Sequence, residues 1–550
     1  MLFSTGLGLF LAFWSLLYLA DHYFRVRSFE KYLNFVEKTG LVVSPFQVRW
    51  HSRRFQSFLA SSFLSRLRGG VLNWWFTLGV LLTMLVMLSM LVFLTRELWR
   101  ELAPWLYWLS LPGQSSRRSV GARLGAATLP TPVQQMTGAG EGDGTTGLIP
   151  VIPGVNVPLE QVPLLLFVLI LAGIVHEFGH ALAAMNEQVG VRGFGVFVLG
   201  VYPGAFTELD PSSLESVSHW SRLRIYCGGV WHNFLLALLG LLALWTLPWA
   251  ASVGYWTDKG VVVRWVRSGA GVSGPAGLGE GHVVYGINYC KVHNEEAWFR
   301  CLDRLSRNHY GYCLPRVEVA ANKSTRWRNL NGEIHCCPVN STQTHLCFYY
   351  KTLSTAVAAN EQGKAGANSK HQHPNLQLHL LTSFEYSCLP ARYVTDHYVC
   401  NYSLPCGHRT VCVYPALFNS TKLLRFFIAN QSKPVLFVGF PSEVRNEVLV
   451  SGYVPKSWMP VWLPSHLELF CKYLITFSLA LGLLNAVPCF SMDGQFVASE
   501  LCVLLAQLHR KWMRRKRECV YTVLVYYGTF LLASNILLAL WKFFRQRYNT

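Results

Sequence analysis

Five stretches of this chain, residues 1–20, 71–95, 225–257, 473–492 and 519–541, contain no Lys, Arg, Asp or Glu. Each reaches the roughly 20 residues that an α-helix needs to cross the hydrocarbon core of a bilayer. In lipid every backbone polar group must be paired within its own segment, so these runs dictate helices before anything else in the chain is considered. A sixth run, residues 162–185, is long enough only when it includes "GIVHEFGHALAAM", which carries two histidines and a glutamate. The expectation is a polytopic α-helical membrane protein of about six transmembrane helices, with that motif at membrane depth. Residues 1–20 lack a basic leader and a small-residue cleavage site, and are read as a retained anchor rather than a signal peptide.

A net charge of +19 raises the question of nucleic acid, but the cations sit beside the apolar runs. One set lies between Arg25 and Arg68, another in "RKWMRRKR", residues 510–517. Short basic loops stay cytoplasmic, and juxtamembrane basic clusters suit anionic lipid. A lipid bilayer, and no nucleic acid, is the expected partner. Threading the spans between these loops makes residues 258–464 luminal. Glycosylation sequons at Asn322, Asn340, Asn401, Asn419 and Asn430 all fall in that region, as do ten of the fifteen cysteines. Together they indicate an oxidising lumen and a disulfide framework whose pairing the sequence leaves open. Adjacent Cys336 and Cys337 need different partners.

Five segments follow. Residues 1–112 form an N-terminal transmembrane region of two spans and a basic cytoplasmic loop. Residues 113–150, rich in Gly, Ser and Thr, are a disordered linker. Residues 151–257 carry the HExxH helix, a hairpin and the next span, and 465–550 a C-terminal membrane core with an Asp-Gly motif and the last span. Between them, 258–464 form an inserted luminal α+β domain. Its opening, through "GPAGLGEGHVVYGINYCKV", resembles the middle of a PDZ domain, and the strand-like "KPVLFVGF" and "NEVLVSGYVP" come only after the cysteines. The expected architecture is therefore PDZ-like, interrupted by a Cys-rich glycosylated insertion at about 309–419. Residues 191–206, "VRGFGVFVLGVYPGAF", read as a hairpin, which at membrane depth implies a neighbouring cavity.

His176 and His180 are four residues apart, so on a helix both leave one face about one turn apart. That spacing suits two imidazoles on one zinc ion, and Glu177 then has the general-base position of an HExxH metalloprotease. From composition the motif is expected only about 0.03 times in a chain this long. Charged groups at bilayer depth are costly and usually face a cavity. The plainer alternative is a pair of core histidines bonded to neighbouring helices. A catalytic zinc needs a third protein ligand and one open position. The one acid within reach of the remaining runs is Asp493, in "NAVPCFSMDGQF". Pro488 breaks the helix before it and Gly494 lets the backbone turn after it, which puts the carboxylate on irregular backbone. Alone, Asp493 could equally be a boundary charge.

His176-Glu177-x-x-His180 in an apolar run, Gly229-x-x-x-Asn233 in "CGGVWHNF", and Asn485-x-x-Pro488 followed by Asp493-Gly494 resemble the site-2 protease family of intramembrane zinc metalloproteases. With "YPGAF" and the Cys-rich insertion in the order of the animal members, the likeness covers nearly the whole chain. The family's usual Leu-Asp-Gly is Met492-Asp493-Gly494 here. The resemblance implies a site-2 protease core, one zinc ion held by His176, His180 and Asp493, Glu177 as catalytic base, and Asn233 and Asn485 assisting at the substrate. It implies substrates that are membrane-tethered transcription factors, of the sterol regulatory element-binding and stress-sensing bZIP types, after a first luminal cleavage. It also implies sterol and ER-stress signalling, a Golgi or endoplasmic reticulum membrane, and a site towards the cytosolic side. Two other functions compete. A non-catalytic scaffold for client transmembrane segments gives Glu177 no task, and a zinc transporter would show internal repeats that are absent.

Overall fold

A computed structural model describes residues 2–51, 70–109, 151–152, 155–200, 202–329, 334–341, 344–356, 379–401, 405–418, 420–508 and 514–548. The expected linker at 113–150 and the sequon at Asn419 lie outside them. The chain divides into two compact units, Met1–Leu247 with Leu467–Thr550, and Pro248–His466.

Helix α1, Leu2–Val26, is followed by α2, Glu30–Thr39. They are joined by Asp21, which is buried and accepts from Arg25 Nε at 2.8 Å and Tyr32 Oη at 2.6 Å. Strands β1, Leu41–Ser44, and β2, Gln47–His51, precede the long α3, Gly70–Leu109, and α4, Val162–Asn186. After α4 the chain reverses through β3, Val191–Leu199, and β4, Tyr202–Leu209. The predicted hairpin is thus present, but it is half of an antiparallel sheet ordered β1-β2-β3-β4. Trp50 stands opposite Val196, and Val196 opposite Ala205. With side chains alternating between faces, Val48, Trp50, Val196, Val198, Pro203 and Ala205 share one apolar face. Ala205 of β4 packs on Gly173 of α4. Beyond β4, Asp210 accepts from Ser212 Oγ and the Ser213 N–H, and these bonds, more than its pairing with Arg192, hold its carboxyl well below the usual range. Helix α5, His219–Ala251, completes this half.

The second unit begins with β5, Tyr255–Trp256, then β6, Val261–Val266, β7, Val283–Ile287, β8, Cys290–Lys291, and α6, Glu295–Arg307, whose N-cap Asn294 accepts from the Ala297 N–H. Next come β9, Gly311–Pro315, the long pair β10, His345–Ala356, and β11, His379–Pro390, then β12, Val399–Cys400, and β13, Thr410–Pro415. These five form their own sheet, ordered β11-β10-β13-β9-β12, around Tyr312, Leu314, Phe348 and Val413. The chain then returns to the first sheet with β14, Lys422–Ile428, β15, Val435–Gly439, the short α7, Pro441–Glu447, β16, Val448–Ser451, and β17, Val454–Pro455. The six-stranded sheet, ordered β15-β14-β7-β6-β16 with β8 on β7, is built from strands that precede and follow the second sheet in sequence, and Phe426 of β14 stands opposite Ile287 of β7. Its core holds Val263, Val284, Trp298 and Phe426. All ten cysteines pair, as Cys290–Cys301, Cys313–Cys406, Cys336–Cys347, Cys337–Cys388 and Cys400–Cys412, and Cys336 and Cys337 do take different partners.

The chain ends with α8, Leu463–Ala486, α9, Asp493–Leu508, and α10, Arg514–Tyr548. Among the described residues five helices are long and apolar enough to cross a membrane: Gly70–Ala103, Leu159–Asn186, His219–Ala251, Leu463–Ala486 and Glu518–Arg545. The expected count was about six; α1, which contains residues 1–20, is a 25-residue helix but is not one of the five. The run 473–492 is broken where Pro488 predicts. α8 stops at Ala486, since Pro488 has no N–H and disfavours helical backbone before it, and Asp493 opens a new helix. Asp493 is therefore at a helix start rather than on irregular backbone. Gly494 is needed for close approach rather than for turning: a Cβ there would lie 2.3 Å from the Val487 carbonyl oxygen. The turn itself is carried by Ser491, at φ 68°.

The Cys313–Cys406 bridge spans 93 residues of sequence, Cys290–Cys301 only 11. Chain-entropy arithmetic makes these about 4.6 and about 3 kcal/mol. Cys313→Ala/Cys406→Ala should lower the thermal unfolding midpoint more than Cys290→Ala/Cys301→Ala, read by fluorescence on the purified full-length protein.

Candidate metal centre

The site is built where α4 crosses α5. Gly179, inside the HExxH motif, faces Gly228, and the helices approach so closely that a Cβ on Gly179 would lie 2.3 Å from the Gly228 carbonyl oxygen. One residue on, a Cβ on Gly229 would lie 2.4 Å from His180 Nε2 and 2.7 Å from His176 Nε2. Only glycines allow α5 to lie against the two imidazoles, which are themselves buried at 5% and 9% exposure.

The contact with α5 orients both rings. His180 Nδ1 is 2.8 Å from the Ile225 carbonyl oxygen. A carbonyl can only accept, so Nδ1 carries the proton and neutral His180 turns a lone pair at Nε2 into the site. His176 Nδ1 is 3.0 Å from the side-chain amide of Asn233, which is fully buried. With the amide oxygen towards the ring, an equally allowed assignment of its two ends, His176 likewise holds its proton at Nδ1 and directs Nε2 inward. The other end of the Asn233 amide has no hydrogen-bond partner among the described residues.

Asp493 supplies the third group. Its Oδ2 lies 2.9 Å from His176 Nε2 and 3.2 Å from His180 Nε2, and the two Nε2 atoms are 3.2 Å apart. Lone pairs of two imidazoles facing a carboxylate oxygen at these distances repel unless a positive charge stands among them. The separations approach the roughly 3.3 Å between tetrahedral ligands at zinc–nitrogen bond lengths. His176, His180 and Asp493 thus make a group able to hold a metal ion, each offering one atom.

Asp493 is held by contacts that the sequence does not advertise. The Phe490 N–H donates to Thr529 Oγ1 and the Ser491 N–H to Gln495 Oε1, both at 3.2 Å, and Gln495 in turn donates to Tyr521 Oη. Gly528 of α10 presses on this turn, where a Cβ would sit 2.3 Å from the Pro488 carbonyl oxygen. Further along α9, Glu500 accepts from His219 Nδ1 at 2.7 Å and pairs with Arg222 Nε at 3.1 Å, tying α9 to the start of α5.

Glu177 is half-buried, and its backbone carbonyl accepts from Thr207 Oγ1 of β4 at 3.0 Å, which joins the sheet to the motif. Gly482 of α8 packs on Asn233 and Phe234. Asn485, one turn further along α8, is half-buried and takes no part in the hydrogen bonds joining His176, His180, Asp493 and Asn233. Of the sequons, Asn322, Asn340 and Asn430 are exposed and Asn401 is half-buried. The second-unit group Cys313, Cys400 and Cys406 is accounted for by its disulfides. Gly179, Gly228, Thr207 and Gln495 were not singled out from the sequence. The glycine pair had a signal, since small residues mark close crossings of membrane helices; the other two had none.

The description "Peptidase family M50" matches residues 164–531, more than half of the chain and all of the residues above. A protein of Arabidopsis thaliana named "Membrane-bound transcription factor site-2 protease homolog" is 28% identical over 188 residues, 34% of this chain and 36% of the relative. The similarity therefore spans about a third of that relative's length.

Gly229→Ala should drive a methyl group against both Nε2 atoms and cut bound metal in the purified protein to near zero by elemental analysis. Asn233→Ala, which frees one ring without crowding it, should weaken metal affinity by about 10–100-fold, as loss of an outer-shell partner typically does. The competition titration of each variant with a chelator measures both.

Proposed function

The chain belongs to peptidase family M50, and from that premise we propose that it is an intramembrane zinc metalloendopeptidase. The observation that carries this reading is the meeting of an HExxH pair, on a helix apolar enough to cross a bilayer, with a carboxylate 313 residues away. The proposed ligands are His176, His180 and Asp493, with one position left for chemistry. When bound, zinc supplies Lewis-acid polarisation of a peptide carbonyl and acidification of water.

The chain's own residues do the rest. Glu177 takes the proton from the attacking water and returns it to the leaving amine. Asn233, with one amide end on His176, keeps the other as a donor towards the developing oxyanion, a contribution often worth about 3 kcal/mol. Asn485 is proposed as a substrate contact from the next helix. A peptide bond inside a helix is hydrogen-bonded and covered, so the substrate segment must unwind before attack. The strand available to hold it is β4: β3 is paired on both sides, whereas β4 is an edge, and Thr207 bonds it to the carbonyl of Glu177.

The substrates we propose are membrane-tethered transcription factors of the sterol regulatory element-binding and stress-sensing bZIP types, trimmed first on the luminal side. The Golgi or endoplasmic reticulum is the proposed location. Support comes from the motif likeness and from the name of the Arabidopsis relative. The PDZ-like reading of the six-stranded sheet, luminal glycosylation and a site nearer the cytosol belong to the same proposal.

Glu177→Gln removes the base and leaves the three ligands. It should retain one zinc per chain and lose cleavage of a trimmed membrane substrate by about 10²–10⁴-fold, measured in reconstituted vesicles, which is what acid–base catalysis typically supplies. Normal cleavage by this variant would refute the mechanism. Equal client binding with no cleavage by wild type would favour the scaffold.

A further inference from the structure

At one end of the 248–466 unit its incoming and outgoing strands pair, with Trp256 of β5 opposite Val454 and Tyr255 opposite Pro455 of β17. The ribbon is firmly closed. The Lys456 N–H donates to the Gly254 carbonyl at 3.0 Å, Tyr255 Oη donates to the Pro460 carbonyl at 2.7 Å, and the buried Tyr255 ring meets Tyr453 edge-on. Around this rigid piece large apolar side chains stand outward: Trp249 at 77% exposure, Val253 at 84%, Trp458 at 85% and Trp462 at 54%. Trp256 is also exposed, and two ammonium groups lie over its ring, Lys259 Nζ at 3.8 Å and Lys456 Nζ at 4.6 Å from the centroid.

What covers these side chains follows from the helices that continue the ribbon. α5 ends at Ala251 and α8 begins at Leu463, and both are among the five helices able to cross a membrane. β5 starts four residues after the end of α5 and still inside the charge-free run 225–257, which puts the ribbon at headgroup depth on that side, and β17 leads back over eight residues to the start of α8. Tryptophan is the side chain most at home there, with an apolar body and one N–H. A lysine lying on an indole face keeps its charge at that depth while its stem covers apolar surface. Asp258, exposed, is the one acid within 248–260 and 453–462, so the lysines outnumber it.

We propose that the β5–β17 ribbon is a phospholipid headgroup site, with Trp256 in the interfacial layer and Lys259 and Lys456 binding the phosphate of a net-anionic lipid. The site rests on α5 and α8 being membrane spans and is independent of the protease reading.

The test uses the full-length protein in phosphatidylcholine vesicles containing brominated phosphatidylcholine or brominated phosphatidylglycerol, which quench tryptophans at contact distance. Because the chain has 19 tryptophans, the signal of Trp256 is the difference between wild type and Trp256→Phe. Brominated phosphatidylglycerol should quench that difference about fivefold more effectively than brominated phosphatidylcholine. The preference should vanish in Lys259→Gln/Lys456→Gln and persist in Lys259→Arg/Lys456→Arg, which keeps both charges. Absence of quenching by either lipid, equal quenching by both, or a preference that survives the double Gln change would each overturn the proposal. Its loss in the double Arg variant would do the same.

Discussion

Everything at the candidate metal centre depends on the backbone contact between α4 and α5. In a bilayer, helices gain little from burying apolar side chains against one another, because lipid is equally apolar. Close packing and interhelical hydrogen bonds must carry the association. Gly179 and Gly228 remove the side chains that would hold the helices apart, and the approach puts the Ile225 carbonyl and the Asn233 amide against the outer nitrogens of the two imidazoles. The chemistry of each ring, meaning which nitrogen holds a proton and which faces the carboxylate, is thereby decided by missing methyl groups. The histidines are not positioned and then protonated to suit; the helix crossing does both.

The other half of the centre is held differently. Asp493 stands at the start of a helix that exists because α8 ends before Pro488, and a short turn could leave its carboxylate loose. Instead the turn is bonded through Thr529 and Gln495, pressed by α10 at Gly528, and the helix it opens is moored to α5 through Glu500. A candidate ligand set made from two distant segments is as precise as its less rigid half, and the polar contacts on α9 and α10 hold that half in place.

Much of this was legible in the residues, and the failures have physical causes. Absence of charge marks apolar runs well, but it does not say where a helix ends: within 473–492 it is Pro488, and not the charge pattern, that marks the break. HExxH spacing and a lone acid beside a proline break singled out three residues that are in fact neighbours. Cysteine and sequon counts pointed to a disulfide framework, whereas four of the five pairings depend on where β9 to β13 carry their cysteines, which no local pattern encodes. The strands β1 and β2 leave little signal in the sequence because they are four and five residues long and lie in a region dominated by basic charge. Residue type alone suggests a turn at Gly494, but its conformation is ordinary and its value lies in what its missing Cβ would strike.

The ribbon of β5 and β17 also bears on how the chain finds its fold. His180 and Asp493 are 313 residues apart in sequence, and closing so long a loop slows folding. Once the 248–466 unit has formed, however, its first and last strands lie side by side, and some 219 of those residues collapse to one strand spacing. The effective loop falls to about 94 residues, which on logarithmic scaling recovers about 1 kcal/mol of closure entropy. Kinetically, then, the unit behaves as a clasp: a large domain inserted between the two halves of a metal site that leaves those halves, for the purpose of meeting, almost as near as if it were a modest loop.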